Sequence, residues 1–411
     1  MMGDILFLAH RMPFPPDRGD KIRSHHLLRA LMRLAPVHAA CFGDTDADFT
    51  HEDELASVTA SHCLVRRSKS MVRAGMEALA SGKPVSLTAF AHDAIHDWVE
   101  RTLRAHSIQT IVVFSGQMGQ YVPASFEGRV VIDLCDVDSA KFEAYAIDGS
   151  GPRSWIDARE GRLLAKVEQS LSERADATVL ISEAEAALFR SRLDDAQRHH
   201  ITAVRNGIDS GYFNPASVKP QPELAASPGP NIVFTGQMDY PPNVAAAMRA
   251  IDRIVPAIRA SHPNATIHLV GRAPIAKLTL RDGQPGIRVW GEVPDMRPFL
   301  AAADIVLAPL EIARGIQNKV LEAMAMARPV VLSAEAATGI DAVDGEHFAV
   351  GSDDRALIRK TLALLDDGPA ALQMAAAARR YVTAQQGWDA MLAPLAGLCG
   401  YAPNTGRRNA A

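Results

Sequence analysis

"VKPQPELAASPGPNIVFTGQ", residues 218–237, decides how the chain is built. Its opening, up to Pro230, is rich in Pro, Ser and Gly and reads as a surface linker or loop. From Asn231 it becomes a short apolar run that ends on a glycine. Before this stretch, apolar runs alternate with helical patterns: "DILFLAH" (4–10), the amphipathic "KIRSHHLLRALMRLAP" (21–36), "HAACFG" (38–43), "TIVVFSG" (110–116), "VVIDLCD" (130–136) and "TVLISEAEAALF" (178–189). After it the rhythm starts again with "NIVFTGQ" (231–237), "ATIHLVGR" (265–272), "IRVWGEV" (287–293), "DIVLAPL" (304–310) and "PVVLS" (329–333). Such runs, bounded by turns and separated by helices, suit parallel sheets covered on both faces. The expectation is an α/β protein of two doubly wound, Rossmann-like domains whose junction falls between residues 205 and 230.

Composition agrees and excludes other classes. A chain of 411 residues that is 48% hydrophobic can bury two cores. A net charge of −4 gives no global field for nucleic acid, and 6% aromatic residues provide few stacking platforms. Cys41, Cys63, Cys135 and Cys399 stand far apart with no C-x-x-C pair, so neither a zinc site nor a disulfide framework is expected, and a reducing, cytoplasmic setting is. The first residues carry Asp4 and a short apolar run where a secretory leader would carry basic residues and a longer one, so they read as a first strand. No apolar run reaches the length of a membrane span, and any membrane contact is expected to be peripheral. The tail "NTGRRNAA" reads as disordered.

Open α/β sheets bind ligands beyond the carboxyl ends of their strands. After the first strand comes "RMPFPPDRGDKIRSHH" (11–26), where Gly19 allows close backbone approach and a helix start bearing Asp20 and Lys21 offers free N–H groups. No G-x-G-x-x-G is present, which weighs against a dinucleotide redox domain. In the second half the strands end on "GQMDYPPN" (236–243), "GRAP" (271–274) and "GEV" (291–293). The most informative segment is "ARGIQNKVLEAMAMARPVV" (313–331), in which Ile316, Val320, Met324 and Ala327 mark the packed face of a helix. Lys319 falls near the partly positive amino end of that helix, where a cation is misplaced by itself. An anion held there by the N–H groups, Arg314 and Lys319 would remove the conflict, with Glu322 left to accept hydroxyls. A solvated helix edge with an i, i+3 Lys–Glu pair is the competing reading.

With these pieces in order, the chain resembles the retaining, nucleotide-sugar-dependent glycosyl transferases group 1 (family four). The resemblance runs through "VRNGID" (204–209), "VFTGQMDYPPN" (233–243), "HLVGR" (268–272), "VWGEVPDMRPFLAAADIVLAPL" (289–310), "NKVLEAMAMARPVV" (318–331) and "YVTAQQGWDAML" (381–392). "RMPFPPDRGDKIR", "DLCDVDS" (133–139) and "ARGIQNKVLEAMA" look most like the sugar transferases associated with exosortase and PEP-CTERM exopolysaccharide loci. The resemblance implies the GT-B fold, two Rossmann-like domains facing across a cleft: an acceptor-side domain over 1–205, a donor domain over 206–380, a helix over 381–400 that crosses back to the first domain, and a tail over 401–411. It implies transfer of a sugar, with retention, from a nucleotide diphosphate-sugar to a polyprenyl-linked saccharide acceptor.

Residue by residue, Glu322 matches the second glutamate of the family's paired motif, which binds the nucleotide ribose. The first would fall at position 314, where this chain has Arg, so the sugar contact is missing unless Glu311 supplies it. The family's arginine after the first strand of the donor domain is Gln237 here, and its downstream lysine has no match in "DYPPN". Lys319, Arg314, Arg272 and Arg205, in that order, are then expected to meet the phosphate charge. Donor contacts are expected from Gly19, Asp20, Lys21, Arg205, Asn206, Gly236, Gln237, Arg272, Val293, Gly315, Ile316, Gln317, Asn318, Lys319 and Glu322. Lys319 and Arg314, with Asp136 and Asp138 on the acceptor side, are expected to carry the chemistry, with no metal and no cofactor beyond the donor. His10 at the first strand end is either cleft-facing or structural. Over residues 55–92, Arg66, Arg67, Lys69, Arg73 and Lys83 with Met71, Met76 and Leu79 read either as a segment resting on an anionic membrane or as an ordinary solvated face. The rival readings are a non-hydrolysing nucleotide-sugar epimerase and a non-catalytic nucleotide-sugar-binding subunit.

Overall fold

The computed structural model describes residues 3–149, 151–313 and 315–401. The chain divides into two units: Met1–Asn206 with Met391–Ala411, and Gly207–Ala390.

Unit 1 carries seven parallel strands: β1 (Asp4–Ala9), β2 (Val37–Gly43), β3 (Ser61–Arg66), β4 (Ile108–Phe114), β5 (Arg129–Cys135), β6 (Ala177–Leu180) and β7 (Ile201–Ala203). Their order is β3-β2-β1-β4-β5-β6-β7. Unit 2 carries six: β8 (Asn231–Thr235), β9 (Thr266–Val270), β10 (Ile287–Gly291), β11 (Ile305–Ala308), β12 (Val330–Ser333) and β13 (Ala349–Gly351). They are ordered β10-β9-β8-β11-β12-β13, again all parallel. Each sheet grows outward in both directions from a central pair, β1/β4 and β8/β11, and that reversal opens a crevice at the strands' carboxyl ends.

Of the central strands, β8 and β11 are buried from end to end and β1 and β4 over all but their first one or two residues, as their apolar runs require. Leu6, Leu8, Ile111, Val113 and Ile132 build the core of unit 1. Ile232, Phe234, Ile267, Leu269, Ile305 and Val331 build that of unit 2.

Two expectations change. The stretch 381–400 is not one helix: Gly368–Tyr381 runs into a π-helical turn at Val382–Gln386, then short helices at Trp388–Met391 and Leu395–Leu398. The break has a cause, since Ile208 N–H donates to Gln386 O at 2.8 Å and Ile208 bridges Gly387 as a strand would. Residues 61–66, inside the segment read as membrane-facing, form the edge strand β3, which pairs with β2. The tail expected to be disordered lies, from residue 402 onward, outside the described residues.

Candidate functional site

The reversal between β8 and β11 brings the turn that follows β8, at Gly236, against Lys319 on the helix that follows β11. At the end of β8, Gly236 N–H donates to Val270 O, and Gly271 N–H donates to Gly291 O, so the glycines ending β8, β9 and β10 lie side by side. The approach is close enough to dictate residue type. A Cβ on Gly271 would fall 1.7 Å from Gly236 O, and one on Gly236 would fall 2.8 Å from Asn243 Nδ2 and 3.0 Å from Lys319 Nζ.

Lys319 sits on the helix Asn318–Ala325, which begins two residues later than Ile316, where the sequence pattern places it. Val320 and Met324 bury the helix against unit 2, and Ile316 packs on the same core from the loop before it. Gln317 at the amino end gives no side-chain cap, and no acid occupies the first turn. Lys319 Nζ donates to Asn243 Oδ1 at 2.5 Å and lies 4.8 Å from the centre of the Phe234 ring. Asn243 is itself fixed by its Nδ2, which donates to Gln237 O at 2.9 Å. Burial pushes the Lys319 ammonium down to about 8, with Glu322 pulling it the other way. Burial pushes the Glu322 carboxyl up to about 7 against the pull of Lys319, and no hydrogen bond supports that carboxylate among the described residues. A half-buried cation and a half-buried carboxylate one turn apart, with no full set of partners, form a polar crevice suited to a charged, hydroxylated ligand.

Other expected residues of unit 2 lie near this crevice or shape its loops. Arg272 Nη2 donates to Gln237 Oε1 at 2.9 Å, and Met238 N–H donates to Arg272 O. Gly315 takes φ 72°, and Gln317 Nε2 donates back to Gly315 O. Asn318 is exposed. Val293 is half-buried against the core, which makes its side chain a packing group. Glu311, the residue considered as a replacement for the missing glutamate, is exposed. Arg314 lies outside the described residues. Asn243 and Phe234 are the two neighbours of Lys319 that pattern reading missed; the only local sign was the polar side chain closing "GQMDYPPN" after a strand.

Unit 1 brings a different set together at the ends of β1 and β5. Asp20, expected to help hold the donor, is occupied by Arg11, by Arg18 Nε at 3.0 Å and by His10 Nε2 at 3.3 Å, which hold its carboxyl well below the usual carboxylate range. Lys21 is buried with Nζ 2.8 Å from Asp48 Oδ1, so its amine is committed to an internal ion pair and not to a ligand. A Cβ on Gly19 would meet nothing within 4 Å, so no close approach requires glycine there. Asn206 accepts from the buried Arg23 Nη1 at 2.7 Å, and Arg205 is half-buried beside it in the chain. Arg23 also donates to Asp133 Oδ2 and Val204 O at 2.9 Å each. Asp136 is half-buried, its carboxyl pushed up by burial, with Lys141 Nζ 3.9 Å away. Asp138 opens the helix Asp138–Asp148 and pairs with Lys141 at 3.0 Å. His10 is buried against Phe90 and Phe114, and its Nδ1 has no hydrogen-bond partner among the described residues. Among the described residues one group, Asp4, His38 and His106, has ligand atoms close enough for a metal ion, at the amino ends of β1 and β2 and away from both crevices.

Residues 229–367, all within unit 2, match the family model for glycosyl transferases group 1. No curated protein matches the chain. Among solved structures, sucrose-phosphate synthase from Thermosynechococcus elongatus is 16% identical with a TM-score of 0.58, over 97% of this chain and 98% of that one. Anabaena Alr3699/HepE in complex with UDP and glucose is 14% identical with a TM-score of 0.57, over 98% and 100%. A glycosyltransferase from Rickettsia africae is 14% identical with a TM-score of 0.56, over 95% of each. These likenesses establish the fold, two parallel-sheet α/β units of the GT-B type.

Proposed function

We propose that the chain is a retaining glycosyltransferase of family four that moves a sugar from a nucleoside diphosphate-sugar to a polyprenyl-linked saccharide during bacterial exopolysaccharide synthesis. The observation that carries this reading is the pair Lys319 and Glu322 at the β8/β11 reversal, held against a glycine-lined backbone within the segment that matches the glycosyltransferase family model. The diphosphate takes the uncapped amino end of the helix Asn318–Ala325 and the Lys319 ammonium. The ribose hydroxyls donate to the Glu322 carboxylate. As the bond from the anomeric carbon to the phosphate oxygen breaks, charge builds on the diphosphate, and a cation fixed there stabilises the transition state more than the ground state. The acceptor oxygen bonds to the anomeric carbon on the face the diphosphate leaves, and the acceptor's proton passes to the departing phosphate.

For the acceptor, Asp136 is the best placed of the expected groups, because its half-buried carboxyl, pushed up by burial, has its nearest cation, Lys141 Nζ, only at 3.9 Å and is left to accept from a hydroxyl. Asp138, already paired with Lys141, is the weaker choice. A non-catalytic nucleotide-sugar-binding subunit is the second reading, favoured by Arg at 314 and Gln at 237 where the family carries a glutamate and an arginine.

A thermal-shift screen against a panel of nucleotide-sugars, followed by transfer to a lipid-linked acceptor, tests both. Donor-dependent stabilisation and a product of retained anomeric configuration support the first reading. Stabilisation without turnover supports the second. No stabilisation by any sugar nucleotide overturns both.

A further inference from the structure

The amino ends of the unit 1 strands, on the side of the sheet opposite its crevice, hold three side chains that the proposed transfer does not use. Asp4 opens β1, His38 is the second residue of β2, and His106 caps the carboxyl end of the helix Asp93–Ala105. Asp4 Oδ2 lies 3.2 Å from His38 Nε2, and the His38 and His106 rings stand 4.1 Å apart between centroids. One ligand atom from each of the three falls within 4.8 Å of the others. Two imidazoles and a carboxylate are a donor set for divalent ions of the zinc class.

The backbone fixes where each side chain starts. Asp4 N–H donates to Ser107 O and Ile108 N–H donates to His106 O, so the turn after the helix is sewn to the start of β1. In the parallel ladders His38 stands opposite Leu6 on one side and Ser61 on the other. Ser61 also fixes the ring, since its Oγ lies 2.8 Å from His38 Nδ1, the kind of outer partner that orients a ligating histidine. In the tautomer that donates Nδ1–H to Ser61, Nε2 turns a lone pair toward the Asp4 carboxylate, and two acceptors 3.2 Å apart repel unless a cation stands between them. A proton there satisfies the Asp4–His38 pair alone. A metal ion satisfies His106 as well, and the partly negative carboxyl end of the helix favours it further.

The spacing fits. Bonds of about 2.0 to 2.2 Å set neighbouring ligand atoms of a tetrahedral zinc about 3.3 Å apart. Asp4 and His38 already stand at that separation, with His38 buried and Asp4 half-buried, and the exposed His106 has room to turn inward. No lysine or arginine forms a salt bridge with Asp4 among the described residues.

We infer that Asp4, His38 and His106 bind one divalent cation of the zinc class, with water completing its shell on the exposed side. The ion clamps the amino ends of β1 and β2 to the end of the helix Asp93–Ala105. The ligands are scattered along the chain, so no spacing announces them, and the expectation of no zinc site rests on the cysteines alone. The place is separate from the donor crevice, where no metal is expected.

The experiment is titration of the full chain, freed of any affinity tag, with Zn²⁺, Co²⁺ and Mg²⁺, read by calorimetry, thermal unfolding and, for Co²⁺, visible absorption. Zn²⁺ is expected to bind at one per chain and to raise the thermal midpoint. Co²⁺ should compete for the same site and show the visible bands of cobalt bound by nitrogen, whereas Mg²⁺, which prefers oxygen ligands, should not bind. H106A and D4N should each weaken Zn²⁺ binding at least tenfold and remove the Co²⁺ bands, while H200A, at another exposed histidine, should change neither. An unchanged metal-free midpoint shows that the variants fold, and H106A, at an exposed position, decides the matter should D4N not fold. Absence of saturable binding at one per chain overturns the inference, as does Zn²⁺ binding that survives H106A or Mg²⁺ binding of equal strength. Binding that depends on His200 is adventitious and overturns it too. No sugar nucleotide enters the test, so its outcome is independent of the transferase reading.

Discussion

At the residue scale the proposal stands on two titratable groups in an unfavourable place. Lys319 keeps its charge beside a helix amino end, and burial has drawn its ammonium down to about 8. Lys319→Ala is expected to lower transfer by about 10²- to 10³-fold, the range for losing one preorganised electrostatic contact, while the thermal midpoint without donor stays within a few degrees. Equal loss of folding would mean that the ammonium serves Asn243 and not a ligand. Glu322 makes a prediction of its own sign. Its folded-state value of about 7 lies above the ordinary carboxyl value of about 4.3. Between those values the folded protein holds a proton that the unfolded chain has released, so this group's contribution to stability falls as pH rises through that window. Glu322→Gln should remove that fall, raise donor-free stability at pH 8 by on the order of 2 kcal/mol, and weaken donor binding. Urea titrations at pH 5 and pH 8 read the first effect. A variant less stable than wild type at pH 8 would show that the carboxylate is supported where it sits.

These two residues were legible because their misfit is local: a lysine at a helix start and an acid one turn on can be seen in eight letters. Lys21 presents the same local picture, yet Asp48, far along the chain, neutralises it from below. Arg23 was invisible for the same reason, since nothing near "KIRSHH" announces Asp133, Val204 and Asn206 as its partners. Breaking that buried pair with Arg23→Met should cost about 3 to 5 kcal/mol, because it leaves the Asp133 carboxylate buried and alone. Arg23→Met with Asp133→Leu should recover part of the loss, measured by chemical unfolding. No recovery would place the cost in Val204 and Asn206 instead.

At the scale of elements, the long central strands could be read directly because burial on both faces removes any need for alternation. The short edge strands β7 and β13 and the half-exposed β3 carry no such signature, and β3 was hidden behind the cations that follow it. Loops were legible where a glycine has a geometric duty. Gly207 in "VRNGID" lets the backbone of Trp388 approach, since a Cβ would stand 2.4 Å from Trp388 Cα. Gly271 ends β9 under the same pressure from Gly236 O, with backbone on both sides and no flexible side chain to yield. Gly271→Ala is therefore expected to force β8 and β9 apart at their carboxyl ends, destabilise unit 2 by about 3 kcal/mol or more, and abolish donor-induced stabilisation. Gly315→Ala, which meets nothing within 4 Å but holds φ 72°, should cost only about 1 kcal/mol. Thermal unfolding of the two variants side by side checks the contrast, and similar midpoints would refute the steric argument.

At the scale of the whole molecule, the chain leaves unit 1 at Asn206, builds unit 2, and returns to unit 1 from Met391. The return is a structural part of the first sheet. Thr110 Oγ1 donates to Cys399 O at 3.0 Å, Arg129 Nε donates to Leu398 O at 2.5 Å, and Tyr401 Oη donates to Gly3 O at 2.7 Å. Leu392, Leu395, Leu398, Cys399 and Tyr401 are all buried. Five buried side chains at about 1.5 to 3 kcal/mol each give an upper estimate on the order of 10 kcal/mol, comparable to the whole stability of a domain. Ending the chain at Ala390 should therefore unfold unit 1 or leave it marginal, while unit 2, which supplies none of these contacts, keeps its own core. Hydrogen exchange on the shortened protein reads the difference strand by strand. Amides of β1, β4 and β5 should lose protection by several orders of magnitude, whereas those of β8, β9 and β11 keep theirs. Full protection in β4 and β5 would show that the returning segment merely rests on a sheet that is stable without it, and uniform loss in both sheets would show that the two units unfold as one.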